Sequence, residues 1–397
     1  MQDSFTEVQH RSWFSRVGQS LKNLLIGLLL LIIAFPLLFW NEGRAVHRSK
    51  TLKEGQGVVV TIAANNTSPE HDGALVHMTG TATTEETLTD SVFGVSVRSA
   101  LKLRRTVEVY QWQEHAEESR TTKAGGGEEV TTTYSYDKAW SPTLTSSKQF
   151  KKPEGHTNPE RKPFPNQTQP AGNVTIGSYK LTDTLLAKVN PFTPIPLTEM
   201  MLENLSTDLV ARTHLEDSRF YIGQNPSAPD IGDARVWFES VPPTEISLVS
   251  KRIGTTFEPW TSRYGTLELL QLGQQDAATM FADARRSNTL WTWLIRLGGF
   301  LLMALGFKVL LEPLAVLADV IPFLGTVLRA GTGFVSLLVA FVLSIVTIAF
   351  AWIVYRPLLG IALLVLAGGG WVAGMSAAKK RSAGSSGAPP PPPHPPS

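Results

Sequence analysis

The sequence predicts a polytopic α-helical membrane protein with four spans and a large β-rich α+β extracytoplasmic domain. Four apolar stretches predict the spans, because a hydrocarbon core about 30 Å thick needs about 20 helical residues. Backbone polar groups inside lipid must also bond within their own element, which favours helices. One long polar stretch, able to bury a globular core, predicts the soluble domain. The spans are residues 24–40, 290–311, 331–355 and 358–375, and the soluble insert is residues 41–289.

The first span follows a polar segment, residues 1–23, in which Trp13 and Phe14 lie just before the apolar run. Aromatic side chains at such a position are typical of the headgroup level. Pro36 predicts that the helix kinks or ends early. Before the second span, Asp276 is predicted to cap a helix that runs into the apolar stretch.

Residues 312–329 are apolar but contain Pro313, Pro322 and Gly325. Prolines and acidic side chains make a regular span costly, so the sequence predicts a re-entrant or interfacial segment here. Residues 376–397 form a basic and proline-rich tail that is predicted to be disordered or polyproline II. A proline-recognising protein is the partner that such a tail would bind.

The insert has the pattern of a β-rich domain. Val58 to Ile62 are all β-branched, and residues 102–112 alternate between two faces. Glycines 125–127 and the proline-studded residues 153–170 predict turns and a surface loop. Further strands are predicted at residues 74–84, 131–136, 234–241, 245–251 and 266–272, and short helices at 182–188 and 197–212.

Charge and composition limit both the topology and the function. The formal net charge of +2 disfavours nucleic acid as a partner, and the absence of cysteine excludes disulfides and thiolate catalysis. Basic residues flank both ends of the chain, so the positive-inside rule predicts cytoplasmic termini. Four spans then place the insert on the opposite side of the membrane.

Several short motifs resemble those of the LUMA (transmembrane protein 43) family, and they occur in the family's order across nearly the whole chain. The first, Asn41-Glu42-Gly43-Arg44-Ala45, directly follows the first span. The others are Leu101-Lys102-Leu103-Arg104-Arg105, Val109-Tyr110-Gln111-Trp112, Glu117-Glu118-Ser119, Tyr134-Ser135-Tyr136, Gly155-His156-Thr157-Asn158-Pro159, Gly232-Asp233, Arg286-Ser287-Asn288 and Tyr355-Arg356-Pro357-Leu358.

The resemblance implies four spans, a large luminal or extracytoplasmic domain, and a scaffold that organises membrane protein complexes. Animal members of the family lie in the endoplasmic reticulum and inner nuclear membrane, where they are implicated in organising membrane protein complexes with emerin and lamins. The family also occurs in bacteria. A bacterial member would lie in the cytoplasmic (inner) membrane. We therefore expect an integral membrane scaffold that is not an enzyme and needs no cofactor or metal.

The first group of candidate interaction residues is Asn41, Glu42, Gly43 and Arg44, at the exit of the first span. Gly43 and Arg44 suit the end of a helix, where a glycine can cap and a cation complements the dipole. The alternative is that this motif binds a lipid headgroup or contacts the residues around Arg356.

The second group is Lys308, Glu312, Asp319 and Arg356, which are ionisable residues close to the second to fourth spans. Such groups at membrane depth are candidates for an ion or lipid site, although Lys308 and Glu312 are also spaced to pair on one helix. They give an alternative function, a channel or lipid-handling protein, which requires all four to face a common cavity.

A third hypothesis is a membrane enzyme or calcium site that uses the acidic residues on either side of the glycine run, against the simpler reading of a solvated loop. These acids are Glu117, Glu118, Glu128 and Glu129. The expected partners are membrane lipids, other membrane proteins and further copies of the chain. Self-association would use the small residues Gly298, Gly299, Ala304 and Gly306.

Overall fold

The computed structural model describes residues 3–203 and 205–357. The chain divides into two compact units. The globular unit comprises Met1–Gln19, His47–Asn288 and Leu314–Leu328. The helical unit comprises Ser20–Val46, Thr289–Pro313 and the residues from Arg329 onward.

Three of the described helices are long and apolar enough to cross a membrane. They are α1 (Trp13–Val58), α5 (Ala277–Ala318) and α6 (Pro322–Tyr355). They contain the first three predicted spans, whereas the fourth, residues 358–375, lies outside the described residues. The short helices of the insert are α2 (Asp183–Ala187), α3 (Glu199–Leu202) and α4 (Thr207–Val210).

The long helices correct one expectation and confirm another. Pro36 lies inside α1, which continues to Val58, so the prediction of an early end was wrong. Proline is tolerated in apolar spans because neighbouring groups satisfy the carbonyl that it frees. The predicted cap of α5 is confirmed, since the Thr279 backbone N–H donates to Asp276 Oδ1 at 2.7 Å. That bond lowers the pKa of Asp276.

The predicted break between the second and third spans is shorter than residues 312–329. Helix α5 continues through Pro313 to Ala318, and α6 begins at Pro322. Only three residues therefore separate the two helices. That this segment is re-entrant or interfacial stays a prediction.

Small residues let α1 and α5 approach closely within the helical unit. A Cβ on Gly27 would lie 3.0 Å from the Gly306 carbonyl oxygen, and one on Gly299 would lie 2.5 Å from Leu38. Ala304 belongs to the same buried cluster as Leu38. Three of the four small residues assigned to self-association therefore pack against the chain's own α1, which corrects that assignment. Gly298 alone has open space.

The globular unit contains two large, mainly antiparallel sheets. The first has the order β1-β7-β6-β14-β13-β12, with β11 on β14 and β8 on β6; the second has the order β10-β9-β3-β15-β16, with β19 on β15 and β2 parallel to β3. Two hairpins, β4–β5 and β17–β18, are separate. The strands are β1 (Asp3–Arg11), β2 (Val60–Thr61), β3 (Leu75–Thr83), β4 (Thr87–Thr89), β5 (Ser96–Arg98), β6 (Lys102–Thr122), β7 (Glu128–Ser141), β8 (Gln167–Pro170), β9 (Thr175–Ile176), β10 (Tyr179–Lys180), β11 (Thr193–Pro194), β12 (Thr213–Glu216), β13 (Arg219–Ile222), β14 (Ala234–Val241), β15 (Thr244–Ile253), β16 (Thr256–Glu258), β17 (Trp260–Ser262), β18 (Gly265–Leu267) and β19 (Leu269–Leu272).

One apolar core joins the two large sheets. Val107 and Phe238 enter it from the first sheet, and Met78 and Leu248 from the second. All four side chains are fully buried. Alternation on β6 and β14 directs these apolar residues inward, which is the pattern that the sequence predicted.

The first described residues of the chain form a strand that the sequence pattern did not predict. Strand β1 pairs with β7 over its whole length, with Phe5 opposite Tyr134 and Val8 opposite Thr131. The sequence predicts that residues 1–23 and the insert lie on opposite sides of the membrane. The ladder brings residues 3–11 onto residues 128–136 of the insert. The sides of the membrane on which these segments lie stay a prediction.

Strands β1, β7 and the distal half of β6 form an extension that we call the arm. Strand β6 is 21 residues long, but it pairs with β14 only as far as Val109 and with β8 only as far as Arg105. Beyond these points β7 is its ladder partner. Residues 115–120 on this part of β6 are all exposed.

Candidate functional site

Glu42, near the end of the helical unit's part of α1, is a buried charged group with three hydrogen bonds. The side chain of Glu42 is fully buried. Arg296 of α5 donates from Nε to Oε1 at 2.7 Å and from Nη2 to Oε2 at 2.8 Å. Trp352 of α6 donates its indole N–H to Oε2 at 2.7 Å. One carboxylate thus joins all three long helices, and we call these three residues the Glu42 cluster.

Aromatic rings surround the charged pair on the arginine side. The Arg296 guanidinium lies 4.7 Å from the centroid of Trp293 and 5.9 Å from that of Trp352. A bidentate arginine–carboxylate pair is planar and well oriented, and ring faces favour a cation. The geometry is that of a fixed clamp between helices.

The neighbours of Glu42 extend the cluster along α1 and α5. The Asn41 side chain donates to the Thr292 carbonyl at 3.0 Å. Arg44 donates from Nη2 to Asn41 Oδ1 and to Thr292 Oγ1, each at 3.1 Å. Asn41 is fully buried, so its amide has exchanged water for these protein partners.

Gly43 has a packing role rather than the capping role considered from the sequence. Helix α1 continues well beyond it. A Cβ at this position would lie 2.5 Å from Tyr355 Cζ, so only glycine allows the ring of α6 to approach. The next residue, Arg356, lies with its guanidinium 5.9 Å from the Trp352 ring. The structure therefore brings the motif at residues 41–44 and Arg356 to one end of the helical unit.

Sequence reasoning missed Arg296, Trp352 and Thr292. A signal for Arg296 was present, because it is the one charged residue in the first half of the predicted span at residues 290–311. A charge inside an apolar span requires a partner. Trp352 carried no comparable signal, since tryptophan is common near the ends of spans.

Lys308 and Glu312 do not join the cluster. Both side chains are exposed on α5, and the structure shows no ion pair between these two described residues. Arg296 and Glu312 are 16 residues apart on one helix, which separates them by about 24 Å along the axis. The two groups therefore lie at the other end of this part of α5.

Asp319 belongs to a second buried cluster, in the globular unit. Arg16 donates from Nη2 to Asp319 Oδ2 at 2.5 Å and from Nη1 to the Gly126 carbonyl at 2.5 Å. Glu128 lies 3.9 Å from Arg16 Nε. The Arg16 and Asp319 side chains are 8% and 2% exposed. We call these residues the Arg16 cluster.

The tip of the arm packs against this second cluster. The Trp13 indole donates to the Val316 carbonyl at 3.0 Å, and the Gly125 backbone N–H donates to the Val320 carbonyl. Gly126 has a positive φ of 79°, and a Cβ on it would lie 2.4 Å from Trp13 Cδ1. The glycine run, which the sequence favoured as a solvated loop, therefore contacts two parts of the chain. One is Trp13, just before the first predicted span, and the other is Val320, between the second and third spans.

A pair of opposite charges also holds the N-terminal strand. Lys151 Nζ lies 2.7 Å from Glu7 Oε2 of β1. The hydrogen bond to Lys151 lowers the pKa of Glu7, and the same bond raises the pKa of Lys151.

The acidic residues beside the glycine run are mostly in ion pairs. Glu118 pairs with Arg120, Glu128 lies near Arg16, and Glu129 pairs with Lys123 and faces His10. Glu117 is exposed on β6. Of these contacts, the one between Glu129 and His10 joins two strands of the arm, β7 and β1. Glu118 pairs within β6, and Glu128 contacts Arg16 of α1.

The alternative of a channel or lipid-handling protein required Lys308, Glu312, Asp319 and Arg356 to face a common cavity. Lys308 and Glu312 are exposed on α5, Asp319 pairs with Arg16 in the globular unit, and Arg356 lies beside Trp352 in the helical unit. These described side chains have three separate surroundings. The structure therefore offers no observation that favours this alternative.

Comparison with known proteins gives one consistent result. The family model described as Transmembrane protein 43 matches residues 109–357. Transmembrane protein 43 of Rattus norvegicus and that of Homo sapiens are each 32% identical over 358 residues, covering 87% of this chain and 88% of the relative. The Transmembrane protein 43 homolog of Drosophila melanogaster is 31% identical over 354 residues, covering 87% of this chain and 91% of the relative. No solved structure matches.

Proposed function

The chain belongs to the transmembrane protein 43 family, and from this premise we propose that it is a scaffold that organises membrane protein complexes. It is an integral membrane protein with a large β-rich domain. In this proposal the helical unit anchors the chain, and the globular unit binds other membrane proteins. The membrane is the cytoplasmic one if the chain is bacterial, and the endoplasmic reticulum or inner nuclear membrane if it is eukaryotic.

The observation that carries the proposal is the open edge of the arm. Among the described strands, β1 pairs only with β7, so its outer edge presents unused backbone donors and acceptors. Proteins usually shorten, charge or cover such edges, because an uncovered edge pairs with other chains. Strand β1 is nine residues long and contains no proline.

The side chains of β1 support binding of another protein at this edge. Phe5 and Val8 are 41% and 50% exposed. An extended segment of a partner could continue the sheet through main-chain hydrogen bonds and gain specificity from these apolar side chains. We therefore propose an extended segment of another membrane protein as the occupant.

We also propose that the function is not enzymatic. Three of the four acidic residues that a catalytic site would need are engaged in contacts with the cations Arg16, Arg120 and Lys123. This arrangement supports a protein surface whose carboxylates are held by the chain's own cations. It gives the carboxylates a structural role that needs no substrate.

Substitutions that disfavour pairing at the outer edge of β1 test the scaffold proposal. The variant with Phe5→Lys and Val8→Lys places two charges on β1. It keeps the backbone ladder with β7, although it removes the ring contact between Phe5 and Tyr134. It should lose the membrane proteins that crosslink to the wild-type chain in intact membranes. The readout is quantitative mass spectrometry of the crosslinked, affinity-purified chain. We expect a loss of about tenfold, because pairing at a sheet edge is disfavoured by lysine.

The matched control is Met200→Lys with Val210→Lys. These residues are also exposed apolar side chains of the globular unit, 75% and 44% accessible, but they lie on α3 and α4. The control should keep the wild-type set of partners. If the β1 variant retains its partners, or if both variants lose them equally, the edge is not the binding surface.

A further inference from the structure

The end of the helical unit at the Glu42 cluster carries an excess of positive charge. Within the segments that form this unit, the sequence contains only two carboxylates, Glu42 and Glu312. Glu312 lies about 24 Å from Arg296 along α5. Among the described residues of the helical unit, the charges at this end are therefore Arg44, Arg296 and Arg356 against Glu42, an excess of two.

One of these arginines, Arg296, is already paired with Glu42. Arg296 is 15% exposed and makes both of its short bonds to Glu42. That pair is neutral, so the excess belongs to Arg44 and Arg356. Both are half-buried, and each adjoins the contact between Gly43 and Tyr355.

Tryptophan side chains mark the depth of this end in the membrane. Trp40 directly precedes the motif on α1, and Trp291 and Trp293 flank Thr292 on α5. They are 55%, 57% and 62% exposed. Exposed tryptophans of membrane helices sit at the level of the headgroups, where the lipid phosphates lie.

We propose that Arg44 and Arg356 form a binding site for the phosphate of an anionic phospholipid headgroup. Arginine presents a planar fork of donors that fits a phosphate, and its guanidinium is less strongly hydrated than an ammonium. Bonds from Arg44 to Asn41 and Thr292 fix its orientation before the lipid arrives. The net negative charge of the lipid offsets the excess at this end, which a zwitterionic headgroup cannot do.

This inference goes beyond the proposed scaffold function and does not depend on it. The arm could bind proteins without a lipid site, and the lipid site could exist in a chain that binds no protein. Failure of one proposal therefore leaves the other standing.

The test is a titration of the purified full-length chain, in a mild detergent, with phosphatidylglycerol and separately with phosphatidylcholine, read by native mass spectrometry. The wild-type chain should bind phosphatidylglycerol more tightly than phosphatidylcholine. The variant with Arg44→Gln and Arg356→Gln should lose about tenfold or more in phosphatidylglycerol affinity, since it loses two charge-assisted contacts. Its affinity for phosphatidylcholine should change little.

The matched control removes the same net charge, with both substitutions on α1, the helix that carries Arg44. Lys50→Gln with Lys53→Gln removes two exposed cations of α1 that lie beyond the helical unit. This variant should bind phosphatidylglycerol as the wild type does. An equal loss in both double variants would indicate a general attraction to basic surface and would overturn the site.

Two further measurements keep the result interpretable. Because Arg44 also bonds to Asn41 and Thr292, the single variant Arg356→Gln is measured as well, and it should show part of the loss with an unchanged unfolding temperature. Inorganic phosphate, added in large excess, should leave lipid binding intact. Displacement by inorganic phosphate, or unchanged lipid affinity in the Arg44 and Arg356 double variant, would contradict a phospholipid site.

Discussion

The two buried arginine–carboxylate clusters are built in opposite ways. In the helical unit the carboxylate of Glu42 is the hub, and it receives hydrogen bonds from Arg296 and Trp352. In the globular unit the guanidinium of Arg16 is the hub, and Asp319, Gly126 and Glu128 surround it. The difference decides what each substitution leaves behind, because removing one partner of a buried pair isolates the other charge.

The largest expected effect is that of Glu42→Ala. It leaves Arg296 half-buried among aromatic rings without a carboxylate, and the helical unit has no other acid at that end. We expect the free energy of unfolding in detergent to fall by about 3–5 kcal/mol. Glu312→Ala, an exposed acid of the same unit, is the control and should change it little.

A double variant sharpens this prediction. Glu42→Leu combined with Arg296→Met replaces the pair by apolar side chains and should recover much of the loss, because a buried ion pair is often no more stable than a hydrophobic substitute. A loss in the double variant as large as in Glu42→Ala would show that the clamp provides more than charge compensation.

Asp319→Ala should have a smaller effect, about 1–3 kcal/mol, measured in the same way. Arg16 keeps the Gly126 carbonyl and the nearby Glu128 after this change. If Asp319→Ala lowers the free energy of unfolding as much as Glu42→Ala does, the two clusters do not differ in this respect.

Two neighbouring glycines isolate the contact between the tip of the arm and Trp13. Both have positive φ, so alanine strains either position, but a Cβ on Gly126 also meets Trp13 whereas a Cβ on Gly125 meets nothing within 4 Å. Gly126→Ala should therefore reduce the free energy of unfolding by about 1 to 2 kcal/mol more than Gly125→Ala does. Equal costs would mean that Trp13 does not hold the tip.

The smallest expected effect is the pH dependence of the Glu7–Lys151 pair. The pKa of Glu7 is lowered, so its stabilising contribution is present above the ordinary value of 4.5 and is lost as the pH falls through the lowered value. The pKa of Lys151 is raised, so its contribution is present below 10.5 and is lost as the pH rises through the raised value.

Spin labels can follow the attachment of β1 to β7 across this range. Because the chain has no cysteine, Val8→Cys and Thr131→Cys label two residues that face each other in the ladder. We expect dipolar broadening at pH 7 that weakens below the lowered pKa of Glu7. Adding Glu7→Gln is the control and should remove the acid-dependent change.

The sequence predicted those features that depend on local pattern. Apolar length predicted the three described long helices, and alternation predicted β3, β14 and β15 close to their observed bounds. Asp276 was recognised as a cap because it precedes the helical pattern directly. These signals are local, so no knowledge of distant neighbours was needed.

The features that escaped prediction depend on residues far apart in the chain. Strand β1 has Phe5 and Val8 three positions apart, which is not a strand period, and its partner lies more than a hundred residues later. Arg16 looked like a positive-inside charge, and only the fold shows it beside Asp319. Glu42 was recognised as a candidate, but the two helices that supply its donors could not be read from the motif itself.

The ladder between β1 and β7 also has a consequence for biosynthesis. About 120 residues, including all of α1, separate the end of β1 from the start of β7. At about 5–20 residues per second, a ribosome needs about 6–24 s to make that stretch. Strand β1 therefore stays unpaired during this time, while the hydrophobic helix α1 inserts into the membrane. A bulky fusion tag before Asp3 would interfere with this late closure, and tags are better placed elsewhere.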